Sequence, residues 1–424
     1  MPHPSRRLHY AWIVFGVAFF ALLASAGIRS TPGVLMVPLE REFGWSAAVV
    51  SAAVSINLVL FGLCGPFAAA FMARYGIRKV MVLALLLIAT GVGLTAVMRS
   101  PWQLDGLWGV VVGLGTGSMA SVLAATVANR WFVARRGLVT GILTAAGATG
   151  QLVFLPVLAS LTVGHGWRWA SVTVAVCALA AVPVVGLLMR DSPREVGLTP
   201  YGGTALDEAP VTHNAFGAAI GALRTASSAP AFWLLAGSFF ICGASTNGLI
   251  GTHLIPASMD HGIAEVTAAG MLAVIGLFDI VGTTVSGWLT DRIDSRWLLF
   301  WYYSLRGLAL LLLPFALSSS HLVLAVFIVF YGLDWVATVP PTIWIATQTF
   351  GRRQGGIVFG WIFASHQLGA AFAAFAAGAA RTWLGDYQLT FVTAGLLCLL
   401  ASGLVIRIGR GEARPADRFA PEAA

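Results

Sequence analysis

The chain has 424 residues, of which 58% are apolar and only 10% are charged, and it carries a formal net charge of +8. Because soluble domains contain about 25% charged residues, this composition excludes an ordinary water-soluble protein and indicates a bilayer as the solvent. The positive charges form short clusters between apolar runs. They give no basic stripe with interleaved aromatic residues, which excludes a nucleic-acid-binding surface.

Twelve apolar runs, each bounded by charged residues or by Gly and Pro, are predicted to be transmembrane helices. The first run follows a basic start and also fits a signal peptide, but the eleven further spans favour its use as the first helix. Several runs approach 30 residues, so tilted or protruding helices are expected. The predicted spans lie near residues 10–38, 46–73, 78–98, 101–129, 137–163, 167–189, 230–258, 266–290, 297–317, 321–350, 356–380 and 387–407.

The distribution of basic residues predicts the orientation of these spans. With the N-terminus placed inside, 19 of the 25 Lys and Arg residues fall in inside segments, 4 fall in outside segments and 2 lie within spans. Cytoplasmic loops carry an excess of Lys and Arg. We therefore expect an integral protein of a bacterial plasma membrane with both termini in the cytoplasm.

The longest polar stretch, residues 190–229, follows the sixth span and is predicted to be an unstructured cytoplasmic linker. The halves on either side echo each other, with Arg74 and Arg78 repeated as Arg292 and Arg296. Two parallel six-helix repeats with a substrate site between them are a known transporter architecture. The predicted fold is an all-α membrane protein of twelve helices in two pseudo-symmetric bundles. Its predicted divisions are residues 1–190, 191–229 and 230–424.

The repeated loop resembles a signature of the major facilitator superfamily, Gly-x-x-x-Asp-Arg-x-Gly-Arg-Lys, and the resemblance extends over essentially the whole chain. The first copy, "AAAFMARYGIRK", has Ala73 where the family has Asp, and the second, "SGWLTDRIDSR", has Asp294 where Gly is usual. The resemblance implies that such charges lock the cytoplasmic side in one state of the transport cycle. The predicted gate residues are Arg74, Arg78, Asp291 and Arg292.

Within that superfamily the chain is similar to the monocarboxylate and oxalate/formate porters, on the stretches "WFVARRGLVTGILTAAGATG", "AGIRSTPGV" and "GLFDIVGTTVSGWLTDR". The resemblance implies that Arg29 lies near a substrate carboxylate and that Asp279 serves proton coupling. These porters often carry an arginine four residues after the acid. This chain has Thr283 there, so the acid–base pair is incomplete on this helix.

Four ionisable residues lie deep within the predicted spans: Arg29, Asp279, Arg306 and Asp334. A charge at the bilayer centre costs roughly 2.5–3.5 kcal/mol and usually faces a cavity or a partner. Two positive and two negative charges at similar depth can neutralise each other. Each of the four therefore has a structural and a functional interpretation.

Arg29 either snorkels to the outer interface or clamps a carboxylate, which a guanidinium group binds in a bidentate manner. The neighbouring Gly27, Pro32 and Gly33 permit local unwinding of the helix. Broken helices often form transporter sites, which favours the clamp.

Each of the remaining three deep charges has more than one predicted partner or role. Asp279 is either half of a structural ion pair or a proton carrier. Arg306 is predicted to pair with Asp279 or Asp334, or to contact substrate. Asp334 precedes Pro340, which breaks the helical ladder; pairing with Arg306 is its first interpretation and a gating contact its second.

Three polar residues of the second half are weaker candidates. His366 either shuttles protons or is a packed neutral ring. Asn247 and His253 lie toward the outer end of the seventh span, where they form a gate or a helix cap. The predicted substrate-binding residues are Arg29, Arg306, Asn247 and His366, and the predicted proton-coupling residues are Asp279 and Asp334.

The sequence thus predicts a monomeric secondary transporter that moves a small organic anion, a monocarboxylate, with protons by alternating access in a lipid bilayer. The alternatives are proton-driven efflux of amphipathic or cationic compounds and a transporter-like sensor. The sequence contains no nucleophile–base pair, and its four cysteines lack metal-ligand spacing. No enzyme activity, cofactor or metal is therefore predicted.

Overall fold

The computed structural model of the chain describes residues 9–119, 121–203, 215–290, 292–319 and 321–409. Long apolar helices dominate it, and the predicted all-helical membrane fold is confirmed: among the described residues eleven helices are long and apolar enough to cross a membrane, and a further long helix, Arg136–His165, makes twelve. The first bundle consists of α1 Tyr10–Phe43, α2 Ala47–Tyr75, α3 Ile77–Thr95, α4 Pro101–Trp131, α5 Arg136–His165 and α6 Trp167–Leu188. The second consists of α7 Pro230–Asp260, α8 Glu265–Thr290, α9 Ser295–Ser319, α10 Leu322–Gly351, α11 Gly355–Leu384 and α12 Gln388–Val405.

An even number of spans places both helical ends of the chain on one side of the molecule. We call this side the terminal face; it carries Tyr10 of α1 and Val405 of α12. The other side, the opposite face, carries the far ends of α1, α7 and α11.

Helix α1 continues without interruption through Pro32 and Pro38, so the predicted local unwinding is wrong. A proline is tolerated in a transmembrane helix because the surrounding structure satisfies the backbone group that it frees. Gly27 serves close packing instead, since a Cβ atom built there would lie 3.0 Å from the ring of Phe154 in α5.

The two bundles meet along α2 with α11 and along α5 with α8. Small residues permit the first of these contacts. A Cβ atom on Gly62 would lie 2.5 Å from Cβ of Gln367, and Ser55 Oγ donates to the carbonyl of Ala371 at 2.8 Å. Close approach of backbones through small residues is how helices associate where lipid removes the hydrophobic driving force.

Part of the segment between the bundles is helical, which corrects the prediction of an unstructured linker. Its second part forms a helix, Ala215–Ala226, whose Ala219, Ala222 and Ala226 are buried at helical spacing. The linker helix touches both bundles: Phe216 stacks on Phe67 of α2 at 4.5 Å, and the indole of Trp361 in α11 donates to the carbonyl of Ala219 at 2.9 Å.

Candidate functional site

Helix α10 is broken at mid-length by a turn over residues 335–338. Within the break the backbone bonds span three residues, from Ala337 N to Asp334 O at 3.3 Å and from Val339 N to Val336 O at 2.9 Å. Pro340 and Pro341 follow at once, and they fit there because the first turn of a helix has no intrahelical use for their missing N–H groups. The break leaves backbone groups inside the membrane that need partners.

Arg306 of α9 supplies partners on one side of the break. Its Nε donates to Oδ2 of Asp334 at 2.6 Å, and its Nη2 donates to the carbonyls of Asp334 at 2.6 Å and Trp335 at 3.3 Å. Its Nη1 lies 2.8 Å from Sγ of Cys242 in α7. The positive charge thus caps the carbonyl end of the first helical segment, as the helix dipole favours.

Asp279 of α8 supplies the partner on the other side. Its Oδ1 accepts from the backbone N–H of Val336 at 3.0 Å and from Oγ1 of Thr283 at 2.8 Å. A carboxylate at the amino end of the second segment satisfies a free donor and complements the dipole there. Two opposite charges from neighbouring helices therefore stabilise the two ends of one broken helix.

We call Arg306, Asp279 and Asp334 the charge cluster. It contains one guanidinium and two carboxylates, so it carries one excess negative charge when both acids are ionised. Oδ1 of Asp334 is buried and has no hydrogen-bond partner among the described residues. The cluster can therefore accept one proton and become neutral, which removes the cost of a net charge at this depth.

The predicted pairing of Arg306 with Asp334 is confirmed. Arg306 is 1% exposed and each of its three guanidinium nitrogens donates to a protein acceptor. In this conformation the guanidinium has no free edge for a carboxylate. Sequence reasoning missed this role of Cys242, because nothing in its apolar surroundings in the sequence points to an arginine 64 residues away.

The other predicted site residues lie elsewhere in the fold. Arg29 is a helical residue of α1, and its side chain is outside the described structure. Asn247 is half-buried in a π-helical turn, Ala244–Ile250, of α7; such turns are frequent at functional sites. His366 is buried in α11 with its ring 4.7 Å from that of Phe239 and 5.6 Å from that of Phe363.

The predicted gate arginines contact groups near their own loops. Arg74 lies over the ring of Tyr75 at 5.3 Å, and the guanidinium of Arg292 lies over Trp288 at 4.1 Å. The backbone N–H of Arg78 donates to Asp191 at 2.7 Å. Asp291 lies outside the described residues, and within the described ranges no ion pair joins these arginines to the other bundle.

Sequence reasoning missed an ion pair that joins the bundles at the opposite face. Arg381 at the end of α11 donates from Nη1 to both oxygens of Glu40 in α1, at 2.8 and 2.7 Å. It also donates to both oxygens of Asp260 in α7, at 2.9 and 2.7 Å. We call these three residues the latch. The sequence did contain a signal for this contact, because all three charges fall at ends of spans, and the alternating direction of the spans places these ends on one side of the membrane.

A second layer of hydrogen bonds supports the latch. His253 of α7 is fully buried; its Nε2 donates to the carbonyl of Ala374 at 2.8 Å, and its Nδ1 accepts from the hydroxyl of Tyr387 at 3.1 Å. The guanidinium of Arg381 lies 5.7 Å from the centre of the Tyr387 ring. His253, which was predicted to lie near the outer end of the seventh span, thus supports a contact between the two bundles.

Comparison with known proteins identifies the family. A family model described as Major Facilitator Superfamily matches residues 18–356 and 254–424. The chain belongs to the major facilitator superfamily. Its members transport solutes, so the chain is a transporter and not an enzyme.

Two relatives illustrate where this superfamily member lies. It is 25% identical over 383 residues to the uncharacterized MFS-type transporter YcxA of Bacillus subtilis, covering 87% of each chain. It is 28% identical over 404 residues to monocarboxylate transporter 13 of Rattus norvegicus, covering 94% of this chain and 89% of the relative. The predicted resemblance to the monocarboxylate branch is confirmed.

Solved structures of other superfamily members share the fold. A bacterial homologue of the human lysosomal transporter Spinster, in an inward-facing and occupied conformation, superposes with a TM-score of 0.76 at 16% identity, covering 98% of this chain and 100% of that one. The xylose transporter XylE from E. coli, partially occluded and inward open, gives 0.74 at 14% identity, covering 95% and 99%.

Proposed function

We propose that this superfamily member transports a small organic anion, a monocarboxylate, together with protons by alternating access. The charge cluster is the observation that carries the proposal. One guanidinium and two carboxylates surround the same helix break inside the membrane, and such a group neutralises its excess charge by binding one proton. The name of the relative monocarboxylate transporter 13 supports the substrate class.

We assign substrate binding to Arg29 rather than to Arg306. The donors of Arg306 are engaged by Asp334, Trp335 and Cys242, whereas Arg29 is the other basic residue within a predicted span, away from its ends. A guanidinium group binds a carboxylate through two parallel hydrogen bonds and stays charged at every physiological pH. Asn247 and His366 remain candidates for further substrate contacts.

We assign proton coupling to Asp279 and Asp334. When one of them binds a proton, the cluster carries no net charge and the second bundle can change its position relative to the first at lower cost. Binding of the anion by Arg29 adds a negative charge within the membrane, so it favours proton binding at the cluster. This mutual dependence of the two binding events is a coupling free energy.

We further propose that the terminal face is cytoplasmic, in a bacterial plasma membrane, and that the transporter is a monomer. The excess of basic residues in the loops of that face supports this orientation. The gate residues Arg74, Arg78, Asp291 and Arg292 would then close the cytoplasmic side in the alternate state. Efflux of cations is disfavoured, because it calls for acidic residues without an arginine partner and Asp334 has one.

The test uses purified protein in liposomes that contain a pH-sensitive dye. Monocarboxylates, dicarboxylates and lipophilic cations are added in turn under an imposed pH gradient. Proton movement that requires a monocarboxylate is expected, and Arg29→Ala should abolish it. Arg41→Ala, an exposed arginine on the same helix, is the matched control and should transport normally. Proton movement with a cation alone would refute the proposal.

A further inference from the structure

Gln367 of α11 carries a fully buried amide side chain. It is 0% exposed, and neither its amide nitrogen nor its amide oxygen has a hydrogen-bond partner among the described residues. A buried amide without partners carries a free-energy cost that a leucine of similar size would avoid. Each such group in a folded protein calls for an explanation, and a role in binding is one of them.

The position of Gln367 is informative. It lies near the middle of α11, and its Cβ atom packs against Gly62 near the middle of α2. It is therefore at mid-depth in the surface where the two bundles meet. Transporters built from two repeats hold their substrate at this depth and at the interface between the repeats.

We propose that Gln367 is a specificity-determining residue that hydrogen-bonds the transported anion when α2 and α11 separate. The proposal rests on the function proposed above and adds the chemistry of the substrate. It predicts an anion with a hydrogen-bond donor, such as a hydroxyl, beside its carboxylate.

The chemistry of the amide leads to this substrate class. A primary amide presents an N–H donor and a carbonyl acceptor. A carboxylate only accepts, so an alkyl carboxylate satisfies the nitrogen of Gln367 and leaves its oxygen unpaired. A carboxylate that also bears a hydroxyl satisfies both.

The surroundings of Gln367 limit the rest of the substrate. The rings of Phe61 in α2 and Phe363 in α11 lie 6.3 Å apart, one turn from Gln367. An apolar wall of this kind accommodates a short carbon chain and disfavours a second charge. The combination points to a small monocarboxylate with one polar substituent.

A rival explanation is that Gln367 finds a protein partner in another conformation. The two explanations differ in one measurable quantity, the ratio of transport rates for two acids that differ by one hydroxyl. A substrate contact changes this ratio, because a site that hydrogen-bonds a hydroxyl discriminates strongly against the analogue that lacks it. A contact within the protein changes both rates alike.

The experiment compares lactate and propionate, which share a three-carbon skeleton, in initial-rate assays with the full-length protein in liposomes. The wild-type protein should prefer lactate, and Gln367→Leu should reduce the ratio of kcat/KM values by about tenfold or more, mainly through the KM for lactate. Gln367→Asn keeps an amide and should retain part of the preference.

Ser51→Ala is the matched control. Ser51 is a second buried group without a hydrogen-bond partner in the described structure, in the same contact of α2 with α11 but near the opposite face. Its loss should leave the ratio unchanged. Equal wild-type rates for the two acids, or a parallel fall of both rates in Gln367→Leu, would overturn the role of Gln367 but not the proposed function. A lack of transport of every carboxylate would instead reject the function on which it rests.

Discussion

Glu40→Gln should shift the transporter toward a conformation that is open at the opposite face. The substitution keeps the size of the side chain and removes its charge from the latch. Two charge-assisted hydrogen bonds from Arg381 are weakened, at 2.8 and 2.7 Å in the structure. Hydrogen bonds to charged groups contribute about 1.5–3 kcal/mol. Arg381 keeps Asp260, and the side chains of Arg381 and Glu40 are 15% and 17% exposed, so we expect a net loss of about 1–2 kcal/mol. This corresponds to a change of about 5- to 30-fold in the conformational equilibrium.

The assay is a distance measurement between spin labels on the opposite face, one at position 99 in the first bundle and one at position 386 in the second. Both positions are exposed. Glu40→Gln should increase the population of the longer distance. Glu42→Gln is the control, because Glu42 lies on the same helix and pairs with Arg168 of the first bundle, at 2.5 Å, without joining the bundles. An unchanged distance distribution in Glu40→Gln, or an equal change in Glu42→Gln, would refute the role of the latch.

Two further substitutions test the charge cluster. Arg306→Met should destabilise the fold by about 3–5 kcal/mol because it leaves a buried carboxylate without its partner. The double substitution with Asp334→Leu should restore most of the thermal stability in detergent. Equal loss of stability in the single and double variants would contradict the assumed cost of an unpaired Asp334. Asp279→Asn should abolish uphill transport driven by a pH gradient while exchange of substrate across the liposome membrane continues. The amide oxygen still accepts from the N–H of Val336, but the amide cannot bind and release a proton. Proton-coupled uptake at the wild-type rate would show that Asp279 does not carry the proton.

The transmembrane spans could be predicted from the sequence because a long run of apolar residues without charges is stable as a helix in a bilayer but not in water. The sequence also sufficed for the pair of Arg306 and Asp334, since deep charges have few partners to choose among. The partner of Asp279 could not be predicted, because it is the backbone N–H of Val336, which is free only where α10 breaks. The contact of Arg381 with Glu40 was missed because 341 residues separate them and charges at helix ends are ordinary.

The linker helix was missed for a different reason. Its sequence "AFGAAIGALRTA" is rich in Ala and Gly, and glycine weakens a helix in isolation. The helix forms because α2 and α11 pack against it: Phe67 stacks on Phe216, and Trp361 donates to the carbonyl of Ala219. Tertiary packing, which a single sequence does not display, decided the structure of this segment.

The bond between Arg306 and Asp334 also bears on how the protein is made. Helix α9 emerges from the ribosome before the segment that carries Asp334, which lies 28 residues later. During that interval Arg306 has neither the carboxylate nor the carbonyls of α10, and an unpaired arginine at the centre of a helix opposes insertion. Helix α9 is therefore expected to stay beside the insertion machinery until α10 arrives, so that the two helices enter the bilayer as a pair. The same contact that completes a broken helix in the finished transporter thus sets the order in which its second half is assembled.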